Sequence, residues 1–300
     1  MKKSAMILIN PSSGKERAAE FEDRIRKVIG EDYEYLEVRH TKGKWDATRY
    51  AKEAGEKGFQ IVVALGGDGT VNETVNGLAG FDDPPVLGVV PMGTVNDLAR
   101  ALKIPQDPED AIDLLKDGYI RRIDVAKAND RYYTNTLAIG KIPSAVHNVD
   151  SDEKSKLGPL AYFIASARVL AKDASFGVSL SMDDGNWEGD IEVLAAGLLD
   201  TIGGFREILP KVHMGDGMLN ILVFRKLDIM EAIKISPSVL MGNLEDNDNV
   251  DYFRSRRLQI SVSEGTYIES DVDGEKGPDL PLDIEVLPGK LRVITGLMED

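Results

Sequence analysis

The apolar positions of the first 120 residues follow two alternating patterns. Runs of consecutive apolar residues, typical of strands buried on both faces of a sheet, occur at Ala5–Ile9, Ile61–Leu65 and Val86–Val90. Between these runs, apolar residues recur every three or four positions, as on one face of a helix, for example in residues 17–29. Strands that alternate with helices predict a mostly parallel sheet covered by helices, and therefore an α/β domain over residues 1–120.

The pattern changes near residue 120, where strand-like segments begin to dominate. Ile120–Ala128 and Arg131–Ile139 flank an Asn129-Asp130 turn and predict a hairpin. Further strands are predicted at 176–182, 190–198, 218–224, 257–263, 282–287 and 291–295, and helices at about 158–171 and 228–241. The sequence therefore predicts a second, β-rich domain over residues 121–289. It leaves open whether the last strand, about 290–300, packs back on the first domain.

Composition narrows the function classes. The chain has no cysteine, which excludes disulfides, thiolate metal ligands and cysteine nucleophiles. Its net charge of −15 argues against nucleic acid as a partner, because a phosphate backbone favours a basic face. The apolar runs are far shorter than the roughly 20 residues that span a bilayer. We therefore expect a cytoplasmic protein with no transmembrane segment and no nucleic-acid partner.

A glycine-rich turn at Gly66-Gly67-Asp68-Gly69-Thr70 is the first candidate binding site. It follows a buried strand and precedes a helical stretch. Glycine backbone N–H groups and a helix N-terminus can converge on a phosphate. Asp68 would repel phosphates unless a divalent cation lies between them, so the turn favours a metal–nucleotide complex. An ordinary turn between a strand and a helix is the alternative.

Several motifs, in the same order along the whole chain, resemble the diacylglycerol kinase catalytic family, which includes sphingosine and ceramide kinases. Among its members, the soluble bacterial diacylglycerol kinases are the most similar. The motifs are Asn10-Pro11-Ser12-Ser13-Gly14-Lys15, Gly66–Thr70 with Asn72-Glu73, Pro91–Arg100, Gly203-Gly204-Phe205 with Pro210 and Asp216-Gly217, and Val272-Asp273-Gly274-Glu275.

The resemblance implies both a fold and an activity. The expected fold is an N-terminal α/β domain like those of NAD kinases and 6-phosphofructokinases, followed by a C-terminal β-sandwich, with the nucleotide in the cleft between them. The expected reaction is ATP- and Mg²⁺-dependent phosphorylation of the primary hydroxyl of diacylglycerol to phosphatidic acid. The resemblance also implies a homodimer that meets its lipid peripherally, at the inner membrane face.

The nucleotide site is expected to draw on two glycine loops. Backbone amides of Gly66, Gly67, Asp68 and Gly69, with the hydroxyl of Thr70, are suited to a phosphate cradle, and Gly93 and Thr94 offer a second set of donors. Asn96 could contact the nucleotide, order its loop or cap a helix. Asn10 follows the first strand, where open parallel sheets bind ligands, and could contact the adenosine or brace a turn.

The resemblance assigns the remaining roles to acidic residues near the end of the chain. Asp273 is expected to be the general base that accepts the proton of the acceptor hydroxyl. In an extended segment Glu275 points to the same side as Asp273, so it could contact ATP and hold Mg²⁺ together with Asp68. A surface turn is the alternative for this tripeptide.

The family pattern also implies a metal that orders the site from the β-rich domain. Its ligands are expected to be Asp216 with carbonyl groups near His213 and Met218. A type I turn before the following strand is the alternative for Asp216.

Two departures from the family pattern concern the lipid substrate. The asparagine common before the GG segment is missing near Leu199-Asp200, and the loop at 242–249 is strongly acidic. Another lipid alcohol (a sphingoid base, monoacylglycerol or phosphatidylglycerol) could use the same catalytic residues. An NAD kinase and a nucleotide-binding protein without catalysis are further alternatives. The late Val272–Glu275 motif and the Asn10–Lys15 opening favour the lipid kinase.

Overall fold

A computed structural model of the chain describes residues 3–140, 175–199, 215–225, 249–263 and 267–296. The chain divides into two compact units, the first consisting of Met1–Val125 and Pro288–Asp300 and the second of Ala126–Leu287. The helices predicted at about 158–171 and 228–241 lie outside the described residues. So do Gly203–Phe205, Pro210 and His213.

A parallel sheet forms the core of the first unit. Its described strands lie in the order β2-β1-β3-β4, with bounds β1 Ser4–Ile9, β2 Tyr35–His40, β3 Ile61–Gly66 and β4 Val86–Pro91. Val293, near the end of the chain, pairs in parallel with Leu87 of β4. Residues 5–9 and 61–65 are buried along their whole length, which explains their uninterrupted apolar sequence. The predicted α/β architecture is confirmed.

Helices connect these strands. Their bounds are α1 Ser13–Glu16, a 3₁₀ turn Ala18–Phe21, α2 Glu22–Gly30, α3 Asp46–Glu56, α4 Asp68–Leu78, α5 Asp97–Ala101 and α6 Pro108–Asp117. The apolar faces of α2 and α3 are buried at Ile25, Ile29, Ala47, Ala51 and Ala54. Because α4 begins directly after β3, its N-terminus lies at the carboxyl edge of the sheet.

The second unit contains two antiparallel sheets. One has the order β12-β11-β10-β7-β14-β15, with bounds β7 Thr136–Gly140, β10 Val193–Gly197, β11 Leu219–Phe224, β12 Val250–Ser255, β14 Ser270–Val272 and β15 Glu275–Lys276. The other contains β8 Phe176–Met182, β9 Gly185–Ile191, β13 Arg257–Val262 and the first half of β16 Leu282–Thr295. Apolar side chains from both sheets form one buried cluster, for example Leu137 and Ile221 with Leu180 and Ile260. The predicted β-sandwich is confirmed.

Several details differ from the sequence prediction. In the predicted hairpin, β5 Tyr119–Ala128 does pair with β6 Arg131–Tyr133, but the second strand is interrupted before β7, which joins the other sheet. The segments at 282–287 and 291–295 are one strand, β16. Strands β9 and β12 were not predicted over most of their length, because their sequences, GNWEGDI and VDYFRS, lack a regular alternation of apolar residues.

Candidate functional site

Three loops of the first unit meet at the carboxyl edge of the parallel sheet, after β1, β3 and β4. The backbone N–H of Asn10 donates to the carbonyl of Leu65 at 3.0 Å, and the N–H of Met92 donates to that of Gly66 at 2.8 Å. The loops are therefore hydrogen-bonded to one another where their strands end. Open parallel sheets bind their ligands at this edge.

The two glycine loops touch through their backbones. A Cβ added to Gly93 would lie 2.9 Å from the Cα of Gly67 and 2.7 Å from Oδ1 of Asn96. Gly14 has a φ of +62°, and a Cβ there would meet the end of the Met92 side chain at 2.4 Å. Glycine is thus favoured at Gly93 by close approach of the backbone, and at Gly14 by backbone conformation, since the end of the Met92 side chain can shift.

Asn10 and Thr70 join the first loop to helix α4. Nδ2 of Asn10 donates to Oγ1 of Thr70 at 3.0 Å, and its Oδ1 accepts from the hydroxyl of Ser12 at 2.8 Å and from the Ser12 N–H at 3.2 Å. Thr70 is buried. Both side chains therefore act as braces within the site.

Asp68 anchors the loop that follows β4. Its Oδ2 accepts the N–H of Asn96 and its Oδ1 the N–H of Asp97, both at 2.8 Å. These amides begin helix α5, so the carboxylate serves as an N-terminal cap supplied from a distant part of the chain. Asp68 thus holds the second glycine loop in place from the first turn of α4.

Asn96 orders the same loop through its side chain. Its φ is +53°, its Oδ1 accepts from the Gly93 N–H, and its Nδ2 donates to the Gly93 carbonyl, both at 2.9 Å. Nδ2 also lies 3.1 Å from Oε1 of Gln106. Asn96 occupies the N-cap position of α5 but makes no side-chain capping bond. Gly93 and Thr94 remain exposed at the surface of the loop.

The N-terminus of α4 is suited to an anion. The first turn of an α-helix carries backbone N–H groups without an acceptor inside the helix, and the helix dipole adds positive potential there. In α4 this turn consists of Asp68, Gly69 and Thr70. Gly67, Asp68 and Gly69 are only partly buried, so a phosphate could reach these amides.

In the second unit, Asp273 and Gly274 form the tight turn between β14 and β15. Val272 pairs with Glu275 across the turn, and Asp273 and Gly274 have φ values of +50° and +84°. Positive φ at both central residues is the requirement of a type I′ hairpin. The turn that the sequence leaves as the alternative is therefore the one present, since an Asp-Gly pair readily adopts it.

Backbone amides hold the Asp273 carboxylate. Oδ1 accepts from the N–H groups of Asn135 and Thr136 at 3.2 and 2.9 Å, and Oδ2 accepts from Thr134 at 3.2 Å. The Asp273 N–H donates in return to the Thr136 carbonyl at 2.9 Å. Burial raises the pKa of the nearby Tyr133 phenol well above its ordinary value, and the negative charge of Asp273 raises it further.

Glu275 forms an ion pair with Arg131 of β6. Oε2 of Glu275 lies 3.2 Å from Nη2 of Arg131, and both side chains are mostly buried, with 24% and 12% of their surface exposed. The Asp273–Glu275 segment is thus fixed to the chain around residues 131–136 at two points, one through amides and one through charge.

Asp216 lies in a turn before β11. Its Oδ1 accepts from the N–H of Met218 at 3.0 Å, and its Oδ2 lies 2.5 Å from Nη2 of Arg254. Because His213 lies outside the described residues, the metal site predicted at His213, Asp216 and Met218 stays a prediction.

The contacts of the acidic side chains show which of them could hold a metal ion. Within the ranges that the structure describes, no three His, Cys, Asp or Glu side chains lie close enough to form a protein cage for a cation. Asp68, Asp216 and Glu275 each already bind an N–H group or an arginine. Mg²⁺ in nucleotide sites is usually held by one or two carboxylates, water and the phosphates, so Asp68 beside the α4 N-terminus fits a cation carried by a nucleotide.

Sequence reasoning missed two components of this arrangement. Arg131 contacts Glu275, and the amides of residues 134–136 contact Asp273, although 137 to 144 residues separate these partners along the chain. Contacts made by backbone amides leave no signature in a sequence. A single arginine after a turn also gives no signal of the residue with which it pairs.

Among the described residues, no helix is long and apolar enough to cross a bilayer.

Comparisons with known proteins agree with this architecture. Residues 4–128 match the family model described as the diacylglycerol kinase catalytic domain, and residues 139–295 match the YegS C-terminal NAD kinase beta sandwich-like domain. The two matches together cover most of the chain.

Individual relatives extend over nearly the full length. The chain is 35% identical over 283 residues to the diacylglycerol kinase of Bacillus subtilis, covering 93% of this chain and 92% of the relative. It is 34% identical over 296 residues to that of Staphylococcus epidermidis, covering 98% and 93%. A crystal structure of a diacylglycerol kinase from Bacillus anthracis superposes with a TM-score of 0.79 at 30% identity, covering 98% and 97%. The chain therefore belongs to the diacylglycerol kinase catalytic family.

Proposed function

We propose that the protein transfers the γ-phosphoryl group of ATP, in a Mg²⁺-dependent reaction, to the primary hydroxyl of diacylglycerol, giving phosphatidic acid and ADP. The observation that carries this proposal is the group of three mutually bonded loops at the carboxyl edge of the parallel sheet, next to the N-terminus of α4. Relatives named diacylglycerol kinase, similar over nearly the whole chain, support the choice of lipid.

The first unit would bind the triphosphate. The amides of Asp68, Gly69 and Thr70 at the α4 N-terminus and the exposed amides of Gly93 and Thr94 would donate to phosphate oxygens. Asp68 would act mainly by position, because it fixes the second loop through Asn96 and Asp97. Mg²⁺, arriving with the nucleotide, would neutralise the charge that develops on the transferred group.

The second unit would supply the base. As the hydroxyl oxygen of the acceptor bonds to the γ-phosphorus and the bond to ADP breaks, the hydroxyl proton would pass to the Asp273 carboxylate and then to water. Three backbone N–H bonds hold that carboxylate in one orientation.

Glu275 and Asp216 are proposed to have supporting roles. Arg131 holds Glu275 two residues from the base. The proposed role of Glu275 is contact with the nucleotide and its cation. Asp216, with His213 and Met218, would bind a second cation that orders the site. In that case Arg254 would have to release the Asp216 oxygen that it now contacts.

A panel of acceptors tests the proposal. Labelled ATP and Mg²⁺ are supplied with detergent micelles that contain diacylglycerol, sphingosine, monoacylglycerol or phosphatidylglycerol, and with NAD in solution. Phosphatidic acid formation that depends on Mg²⁺ is the expected result. Transfer to another lipid alone would retain the mechanism and reject diacylglycerol, whereas transfer to NAD alone would reject a lipid kinase.

A further inference from the structure

Trp45 is an unusual residue at the carboxyl edge of the first unit's sheet. It immediately precedes α3, 39% of its surface is exposed, and its φ is +70°. Bulky side chains are rarely found at positive φ, because the Cβ crowds the backbone. Most tryptophans in a folded protein lie largely inside. An exposed indole held in a strained backbone conformation points to a role outside the fold.

The backbone around Trp45 is rigidly held. The Trp45 N–H donates to Oε1 of the buried Glu73 at 2.8 Å. The N–H groups of Lys42 and Gly43 donate to Oδ2 of Asp46 at 2.8 and 3.2 Å. Both carboxylates therefore bind the loop backbone from its inner side. A loop backbone fixed in this way loses little conformational freedom when it meets a partner.

The outer side of the same loop is basic and aromatic. Lys42, Gly43 and Lys44 are exposed, and Nζ of Lys44 lies 5.2 Å from the Trp45 ring. An indole ring favours the boundary between headgroups and acyl chains of a bilayer, and lysines favour anionic headgroups. The loop thus combines the two chemistries that anionic phospholipid surfaces select.

The charge of the whole protein does not oppose this. The net charge is −15, but residues 1–50 carry 11 Lys and Arg against 9 Asp and Glu, a local net of +2. At physiological ionic strength, charges farther away than about 8 Å are largely screened. The potential that a membrane meets at this loop is therefore set by nearby groups. These are the exposed Lys42 and Lys44, and the carboxylates of Asp46 and the buried Glu73, which bind the loop backbone.

The loop lies beside the candidate nucleotide site. Thr41 follows β2, and its N–H donates to the carbonyl of Ile9 at the end of β1. Strands β2, β1, β3 and β4 are neighbours in that order, so the loops after them share one edge. We infer that residues 41–45, the Trp45 loop, dock on an anionic phospholipid surface, with Trp45 at the headgroup–acyl boundary and the two lysines on headgroup phosphates.

This inference rests on the proposed function, which requires a lipid acceptor, and it names the surface that reaches the lipid. It would bring the nucleotide edge of the first unit to the bilayer and so explain how a strongly acidic protein works on a membrane substrate.

The two tryptophans of the chain allow a direct test. Trp187 is partly buried, with the Arg225 guanidinium 5.7 Å from its ring, and belongs to the other unit. The Trp187→Phe variant leaves Trp45 as the sole indole, and Trp45→Phe leaves Trp187. Each is mixed, without ATP, with vesicles of phosphatidylcholine containing 30% phosphatidylglycerol, or of phosphatidylcholine alone, with and without brominated acyl chains.

We expect the Trp45 emission to shift to shorter wavelength and to be quenched by brominated chains only on the anionic vesicles, and the Trp187 emission to stay unchanged. Lys42→Gln with Lys44→Gln should weaken vesicle binding by about 25-fold, about fivefold for each charge. Lys52→Gln with Lys57→Gln, which removes two exposed lysines of the α3 region, is the matched control and should weaken binding much less.

Trp45→Gly provides a variant that should fold, because glycine tolerates the positive φ. It should weaken vesicle binding at least fivefold, on the order expected for removing an interfacial aromatic anchor, and leave Mg²⁺-ATP affinity unchanged. Three results would overturn the inference. They are vesicle binding without a change in Trp45 emission, an equal loss of vesicle affinity in the two double-lysine variants, and no vesicle binding at all.

The proposed function fails on a different measurement. Transfer to diacylglycerol in detergent micelles does not require docking on a bilayer. Insertion of Trp45 without any transfer would reject the function alone, and transfer without insertion would reject the docking loop alone.

Discussion

Two turns of the second unit hold an aspartate in similar ways, one at Asp183 after β8 and the other at Asp273 after β14. Asp183 accepts from the hydroxyl of Ser255 and the N–H groups of Arg256 and Arg257, at 3.0, 2.7 and 3.2 Å. All three bonds fall on Oδ2. The three amide bonds of Asp273 are divided between its two oxygens.

This difference shows that the number of hydrogen bonds to a carboxylate does not identify a functional acid. Both aspartates pin one part of the chain to another. An asparagine at 183 can place its single oxygen where Oδ2 lies and keep every donor. An asparagine at 273 must turn its NH₂ group toward at least one backbone N–H. Substitutions at the two positions therefore distinguish an aspartate that only holds two parts of the chain together from one that also acts as the proposed base.

The largest effect on nucleotide affinity is expected at Asp68, whose two backbone N–H bonds are also divided between its two oxygens. Asp68→Asn leaves the N–H of Asn96 or of Asp97 facing another donor, so the second glycine loop loses part of its anchor. Mg²⁺-ATP affinity should fall about 30-fold, corresponding to about 2 kcal/mol. Isothermal titration calorimetry measures this directly.

Asp107→Asn is the control in the same unit. Both amide bonds of Asp107 fall on Oδ1, so asparagine can keep them, and nucleotide affinity should not change. Unchanged affinity in Asp68→Asn as well would contradict the anchoring role.

The next prediction compares the two turns directly. Asp273→Asn should lower the free energy of unfolding by about 2 kcal/mol more than Asp183→Asn, because it leaves a partly buried amide without its acceptor. Urea unfolding of both variants measures the difference. Equal losses would mean that the division of bonds between the oxygens has no energetic consequence.

The pH dependence of stability sharpens the same comparison. Burial raises the pKa of the Asp183 carboxyl, but the donors from Arg256, Ser255 and Arg257 together outweigh it and bring the pKa below its ordinary value. The resulting stabilisation is fully present above the ordinary pKa, near 4, and is lost as the pH falls through the lower value of the folded state.

Because Asp183 is exposed, this contribution should be only about 1 kcal/mol. The difference in unfolding free energy between the wild type and Asp183→Ala should therefore shrink below pH 4. A difference that stays constant from pH 7 to pH 3 would contradict the assigned cause.

The smallest effect concerns Trp45, which like Asp273 has a positive φ. Asp273 and Trp45 both have positive φ, which aspartate tolerates far better than tryptophan. Trp45→Gly should raise the free energy of unfolding by about 1 kcal/mol, since relief of strain exceeds the entropy cost of glycine. Trp45→Ala, which keeps a Cβ, should gain less. Thermal unfolding of the wild type, Trp45→Gly and Trp45→Ala measures this order of stability. A glycine variant less stable than the alanine variant would contradict the prediction.

Sequence reasoning succeeded where a physical requirement, such as burial or close approach of the backbone, leaves a visible pattern of residue types. The buried runs of β1, β3 and β4 and the glycines at 67 and 93 follow from burial and close approach, so the fold could be predicted. The nucleotide site stays a prediction. The roles of Asn10 and Asn96 could not be resolved, because a side chain that braces a loop and one that binds a ligand have the same sequence.

The second unit was less predictable for two physical reasons. The short polar strands β9 and β12 owe their conformation to their neighbours in the sheet, and not to their own pattern of apolar residues. For the Asp273-Gly274 pair the sequence left both an extended segment and a turn open, although Asp-Gly is a strong hairpin signal. The pairing of Arg131 with Glu275 depends on tertiary structure alone.

The most direct test is the rate of phosphatidic acid formation by Asp273→Asn in diacylglycerol micelles, measured beside Asp183→Ala. The control loses all three bonds of its carboxylate but keeps the proposed base. We predict a loss of about 1,000-fold in Asp273→Asn at nearly normal Mg²⁺-ATP affinity, and nearly full activity in Asp183→Ala. Nearly normal turnover by folded Asp273→Asn would contradict the account, because Asp273 would then be an anchor like Asp183.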